Sequence, residues 1–167
     1  MMRKPAIFLT VAMIGIAGLS FASLAPPAPL LVWNASASLP IGLYRKAPGV
    51  PRRGDLVLVR PPESAAMLAD QRRYLPAGVP LVKRIAAAVG DRVCAVDGVV
   101  FINGQIVARL LAVDHVSRPL PRWSGCRVLD GDELFLLADA ADSFDSRYFG
   151  PVPTTTIIGR LVALWTE

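Results

Sequence analysis

The chain opens on one long apolar run and then changes rhythm. Residues 5–24 contain no charged side chain, about the 20 apolar residues that a helix needs to cross the hydrocarbon core of a bilayer. Beyond Ala25-Pro26-Pro27-Ala28-Pro29, apolar positions come in short bursts separated by Gly, Pro, Asn and Asp, the punctuation of β-structure. Strands are predicted over residues 55–60 and 81–87, each rich in branched side chains and bounded by Gly or Pro. Between them, residues 63–74 carry Ala, Met, Leu, Gln and Arg after Pro61-Pro62 and predict a short helix or surface excursion. Residues 93–96, 99–102 and 105–108 predict a meander, because Asp97-Gly98 and Asn103-Gly104 are the dipeptides best suited to type I′ turns. Two more apolar strands are predicted over residues 133–138 and 157–165. The expected fold is therefore mainly β with little helix, preceded by one N-terminal transmembrane helix. Residues 1–24 make a cytoplasmic stub and anchor, 25–30 a stiff proline-rich spacer, and 31–167 one compact domain.

Charge sets the expected orientation. Arg3 and Lys4 precede the apolar run, and the next basic residues are Arg45 and Lys46, beyond the roughly 15–20 residues that decide topology. The stub is expected in the cytoplasm and the domain outside the membrane, with the lipid bilayer as a partner. A cleaved secretory signal is the rival, but Pro26 follows the small-residue site Ser23-Leu24-Ala25 and the run is long for a signal core. Of the 18 Lys and Arg residues, all but the first two are dispersed from Arg45 to Arg160 without a block or an interleaved aromatic series, which argues against nucleic-acid binding. The net charge of +5 is ordinary for a solvated surface.

Three patches could carry chemistry. In Asn34-Ala35-Ser36-Ala37-Ser38-Leu39-Pro40-Ile41-Gly42-Leu43-Tyr44, two small hydroxyl residues precede a Pro and a Gly soon after the anchor; alone, this is also ordinary turn chemistry. In residues 79–86 the strand period places Leu81, Lys83 and Ile85 on one face. A lysine among apolar neighbours can fall from a pKa of about 10.4 to roughly 7–8, where it can accept a proton; a lysine snorkelling from an edge strand fits the same pattern. In residues 142–152, Asp145 and Arg147 can pair to hold a turn, and Ser143 with Asp145 can position the amine of Lys83. The lone His115 lies in a polar, turn-rich stretch, and no Gly-x-Ser-x-Gly elbow is present, so an exposed loop histidine is the favoured reading over a triad base. Cys94 and Cys126 would share an oxidising compartment, where a disulfide is permitted; two buried thiols are the alternative. With two Cys and one His, a structural zinc site lacks ligands, and neither metal nor cofactor is expected.

Together the patches resemble the boxes of the bacterial type I signal peptidases and, more closely, their TraF-type conjugative-transfer relatives. Ser36 to Tyr44 resembles the nucleophile box, with Leu39 and Pro40 fitting the TraF branch. Lys83-Arg84-Ile85 followed by Gly90-Asp91 resembles the general-base box. Ser143-Phe144-Asp145-Ser146-Arg147 followed by Gly150 resembles the last box, although Ala138-Asp139-Ala140-Ala141-Asp142 stands in place of its usual Gly-Asp-Asn opening. Residues 118–126 look like a stretch typical of the TraF branch. The resemblance implies a signal-peptidase-like complex β fold and a serine endopeptidase, with Ser38 as nucleophile, Lys83 as base, Ser36 in the oxyanion hole, and Ser143, Asp145 and Arg147 in support. It implies a translocated protein precursor as substrate, such as a conjugative pilin, cut at the periplasmic face of a bacterial inner membrane. The alternatives are a general signal peptidase and a non-catalytic β-domain of an envelope secretion assembly. The oligomeric state is not read from the sequence.

Overall fold

The computed structural model describes residues 3–24 and 30–167. The N-terminal run forms helix α1 (Arg3–Leu24) of 22 residues, about 33 Å long at 1.5 Å per residue. Its described side chains, Phe8 to Gly18 and Ser20, are all exposed. Among the described residues no helix is long and apolar enough to cross a membrane, so the span expected over residues 5–24 is seen as a helix and not as a crossing. All but Leu30 of the expected spacer lies outside the described residues.

The rest is built on strands β1 (Leu31–Asn34), β2 (Gly42–Ala47), β3 (Leu56–Val59), β4 (Leu81–Ala87), β5 (Arg92–Val96), β6 (Val99–Ile102), β7 (Gln105–Arg109), β8 (Gly125–Val128), β9 (Glu133–Leu137), β10 (Val152–Pro153) and β11 (Ile157–Thr166). Helix α2 (Glu63–Gln71) lies between β3 and β4, and the single turn α3 (Ser146–Phe149) follows β9. The expected mainly β architecture is observed. One sheet runs β1-β2-β11-β3-β4-β9-β10 and a second runs β7-β6-β5-β8.

Both predicted tight turns form. Asp97 and Gly98 have φ of 49° and 75°, and Asn103 and Gly104 have 51° and 81°, the paired positive angles of a type I′ turn. The helix expected over 63–74 is shorter, because Arg73 turns to φ 58° and the Arg72 N–H closes the last turn on Leu68. Strands β1, β2, β8 and β10 were not expected. β8 is exposed at all four residues, and so offers no hydrophobic period to read.

The alternation along β4 divides the core. Leu81 and Ile85 pack with Val57, Val59, Leu134, Leu136 and Val152, whereas Val82 packs with Leu39, Tyr44, Leu58, Ala138 and Leu161. Lys83 therefore shares the first face, opposite Val57 in the ladder. A third cluster, around Val93, Val100, Ile102 and Phe135, joins the small sheet to β9.

Cys94 and Cys126 are bonded, with an S–S distance of 2.06 Å across 32 residues, and they face each other in the β5–β8 register. In the chain-entropy view a loop of that size contributes about 3–4 kcal/mol. A Cys94→Ser/Cys126→Ser protein is expected to unfold in urea with a correspondingly lower free energy; an unchanged midpoint would show that β8 is held by its ladder alone.

Candidate active site

Lys83 is the least expected occupant of its strand, a lysine only 3% exposed. Its Nζ donates to Ser143 Oγ at 2.6 Å, and among the described residues no other hydrogen bond is made by that nitrogen. Burial lowers its pKa from 10.5 to about 8; the Asp145 carboxylate opposes this and Arg147 adds to it. Desolvation wins because an ammonium with one neutral hydroxyl partner has lost most of its hydration. About a tenth of the amine is thus free at pH 7, against a negligible fraction for an ordinary lysine.

Two residues beyond Ser143 a buried ion pair begins. The Asp145 carboxylate and Arg147 guanidinium are 0% and 3% exposed and pair at 2.8 Å, with a second contact from Nη2 to Oδ2 at 3.0 Å. Asp145 Oδ2 also accepts the Ala138 N–H at 3.0 Å, and Oδ1 accepts the N–H of Arg147 at the start of α3. Arg147 donates onward to the carbonyls of Ala141 and Ala138, at 2.6 and 3.1 Å. The pair is therefore the centre of a cross-brace over residues 138–141, the segment that departs from the usual box. Asp145 and Arg147 pair and brace a turn, and Ser143 touches the Lys83 amine, whereas Asp145, expected to position that amine with Ser143, makes no hydrogen bond to it among the described residues.

Ser38 is half-buried in the turn between β1 and β2. Ser36 Oγ donates to Ser38 Oγ at 3.0 Å and accepts the Ser38 N–H at 3.3 Å. No hydrogen bond joins Ser38 to Lys83 directly among the described residues. A relay of contacts connects them instead. The Ala140 N–H donates to the Ser38 carbonyl and the Ser143 N–H to the Ala140 carbonyl, both at 3.2 Å, and Ser143 Oγ accepts from Lys83 Nζ. Next to these residues, Leu39, Val82 and Ala138 share one hydrophobic cluster.

His115 is exposed in the loop between β7 and β8, its ring 6.3 Å from that of Tyr74, as expected for a loop histidine. Three groups near Ser38 were given no role by the sequence reading: Asn34 and Tyr44, which hydrogen-bond to the Ser38 turn, and the Ala140 N–H. An asparagine two residues before a Ser-x-Ser turn was the available signal for the first. A backbone donor leaves none.

With this arrangement in view, comparison with known proteins gives a family. Residues 3–166 match the family model described as signal peptidase, peptidase S26. The chain belongs to the signal peptidase family, peptidase S26. It is 37% identical to the plasmid transfer protein TraF of Escherichia coli, over 79% of this chain and 82% of that one. It is 35% identical to the conjugal transfer protein TraF of Agrobacterium tumefaciens, over 98% of this chain and 97% of that one. A crystal structure of a signal peptidase I from Enterococcus faecalis is 20% identical, with a TM-score of 0.41, covering 70% of this chain and all of that one. S26 membership implies a peptide or protein substrate.

Proposed function

We propose that this S26 protein is a membrane-anchored serine endopeptidase that uses Ser38 and Lys83 to process translocated precursors for conjugative transfer, a pilin precursor being the leading candidate. The observation that carries the reading is the buried, pKa-lowered amine of Lys83, linked through Ser143 and Ala140 to the turn that bears Ser38. In this scheme Ser38 Oγ turns from Ser36 toward Nζ and attacks the scissile carbonyl as neutral Lys83 takes its proton. The C–N bond then breaks, and Lys83 returns the proton to the leaving amine. Water, deprotonated by the same lysine, cleaves the acyl-enzyme and restores Ser38.

The Ser38 N–H and Ser36 hydroxyl, which already meet, are the donors assigned to the oxyanion. Removal of one such donor typically costs 10²–10³-fold. Ser36→Ala is therefore expected to slow precursor cleavage about 100-fold without abolishing it, as read by intact mass over time; an unchanged rate removes Ser36 from the oxyanion hole.

Placement at a membrane is part of the proposal. Its support is the uncharged run over residues 5–24, together with the stacked Trp33 and Trp165 rings, 5.9 Å apart. These tryptophans are 57% and 52% exposed on strands next to the first described residues of the domain. Tryptophan of this kind is enriched at bilayer interfaces. The basic stub, Arg3 and Lys4, supports a periplasmic domain within this reading.

The test is covalent. A penem β-lactam, which acylates serine nucleophiles, is expected to add once to the detergent-solubilised protein, with the adduct on the Ser38 peptide and none in Ser38→Ala. Labelling that persists in Ser38→Ala, or no labelling at all, would turn the reading toward a non-catalytic domain.

A further inference from the structure

We infer that Asn34 is a positioning residue for the nucleophile, clamping both ends of the turn that carries Ser38. The inference rests on the proposed role of Ser38 and concerns a residue outside the dyad. Asn34 is the last residue of β1 and is 6% exposed, an unusual depth for a polar side chain at the mouth of a loop.

Its hydrogen bonds explain the burial. The Nδ2 amide reaches the carbonyls of Ser36 at 3.0 Å, Leu39 at 3.2 Å and Pro40 at 3.1 Å. Its Oδ1 accepts the Ser36 N–H at 3.2 Å. One planar amide thus binds the chain on both sides of Ser38, before it at Ser36 and after it at Leu39 and Pro40. No carboxylate can substitute, because three of the four contacts are to carbonyl oxygens, which need a donor.

A second clamp acts on the same loop. The Tyr44 hydroxyl donates to the Pro40 carbonyl at 2.6 Å, from a ring 1% exposed within the cluster that also holds Leu39. Tyr44 lies opposite Val32 in the β1–β2 register, so both clamps are built on rigid strands. The Pro40 carbonyl accepts from both, and the turn has little freedom left except at the Ser38 side chain. Fixing the nucleophile's backbone in this way also fixes the Ser38 N–H, the donor assigned to the oxyanion.

A clamp that positions Ser38 alters the rate of attack without altering the base. The experiment measures penem acylation of the full-length, detergent-solubilised protein by intact mass, over a range of penem concentrations and pH. It compares wild type, Asn34→Asp and Tyr44→Phe, with thermal unfolding measured in parallel. Asn34→Asp keeps shape and acceptor but loses the donors. It is expected to lower the limiting acylation rate about 100-fold, the scale of a 1 Å misplacement, with little change in the penem concentration giving half the limiting rate. Tyr44→Phe is expected to lower that rate about 10-fold on the same reasoning, and it carries the test alone if Asn34→Asp does not fold. In Tyr44→Phe, which adds no charge, the pH midpoint of acylation is expected to stay at the wild-type value, because Tyr44 and Lys83 share no hydrogen bond. If the folded variants lose thermal stability but acylate at the wild-type rate, Asn34 is a fold residue only and the inference fails by itself. If wild type is not acylated at Ser38, the inference fails together with the proposed nucleophile.

Discussion

Replacement of Lys83 by methionine is expected to abolish precursor cleavage while leaving the fold at least as stable as wild type. The loss should exceed about 10³-fold, since activation of a serine by its base and the later proton return both depend on one amine. Stability should move the other way. In the folded protein the Lys83 pKa is about 8 against 10.5, so between those values the unfolded chain binds the proton and the folded chain does not. Wild-type stability therefore rises with pH through that window. Below it, holding the charged lysine inside costs on the order of 3 kcal/mol. Methionine has similar length and no charge, so Lys83→Met removes that cost and the pH-dependence, leaving Ser143 Oγ to find another partner. Urea unfolding at pH 7 and pH 10 measures both effects. A variant much less stable than wild type at pH 7 would mean that the lysine is held charged by Asp145, contrary to a base role.

Asp145 is expected to give the largest loss of stability. Its carboxylate is fully buried, and it accepts from Arg147 twice through the guanidinium, from the Arg147 N–H and from the Ala138 N–H. Asp145→Ala strands a guanidinium that is 3% exposed. Breaking one partner of a buried pair typically costs about 3–5 kcal/mol, a large share of the stability of a domain of this size. Urea or thermal unfolding should show it directly. Activity per folded molecule should fall as well, because the same cross-brace fixes residues 138–141, which hold the Ser38 carbonyl. A loss below about 1 kcal/mol would indicate that Arg147 is satisfied by the carbonyls of Ala138 and Ala141 alone.

The sequence was most legible where local chemistry is unambiguous. Asp97-Gly98 and Asn103-Gly104 could only be read as tight turns, and the alternation around Lys83 placed Leu81 and Ile85 beside it, as observed. The strands that escaped have physical reasons. β2 carries Arg45 and Lys46 amid its buried positions, β8 has no buried face, and β10 is two residues long. α3 is a single turn fixed by the Asp145 cap rather than by helical periodicity. At the site, Ser36, Ser38, Lys83, Ser143, Asp145 and Arg147 were singled out as types of side chain. The contact of Ser143 with the Lys83 amine was expected too, but the link onward to Ser38 was not, because it runs through the backbone of Ala140. The role of Asn34 escaped for a related reason: its partners are carbonyl oxygens, which no residue name reveals. For the cysteines, the sequence left pairing and free thiols open, and the β5–β8 register decides it by bringing Cys94 opposite Cys126.

The central claim is that Ser38 is driven by a neutral, buried lysine. The most direct measurement is the pH-dependence of cleavage of a co-expressed pilin precursor, followed by intact mass with purified wild type and Lys83→Met. The account predicts a wild-type rate that climbs through about pH 8, the value to which burial lowers the Lys83 amine, with no cleavage by the variant. A wild-type rate that is flat across that range, or cleavage by both proteins at one rate, would contradict it.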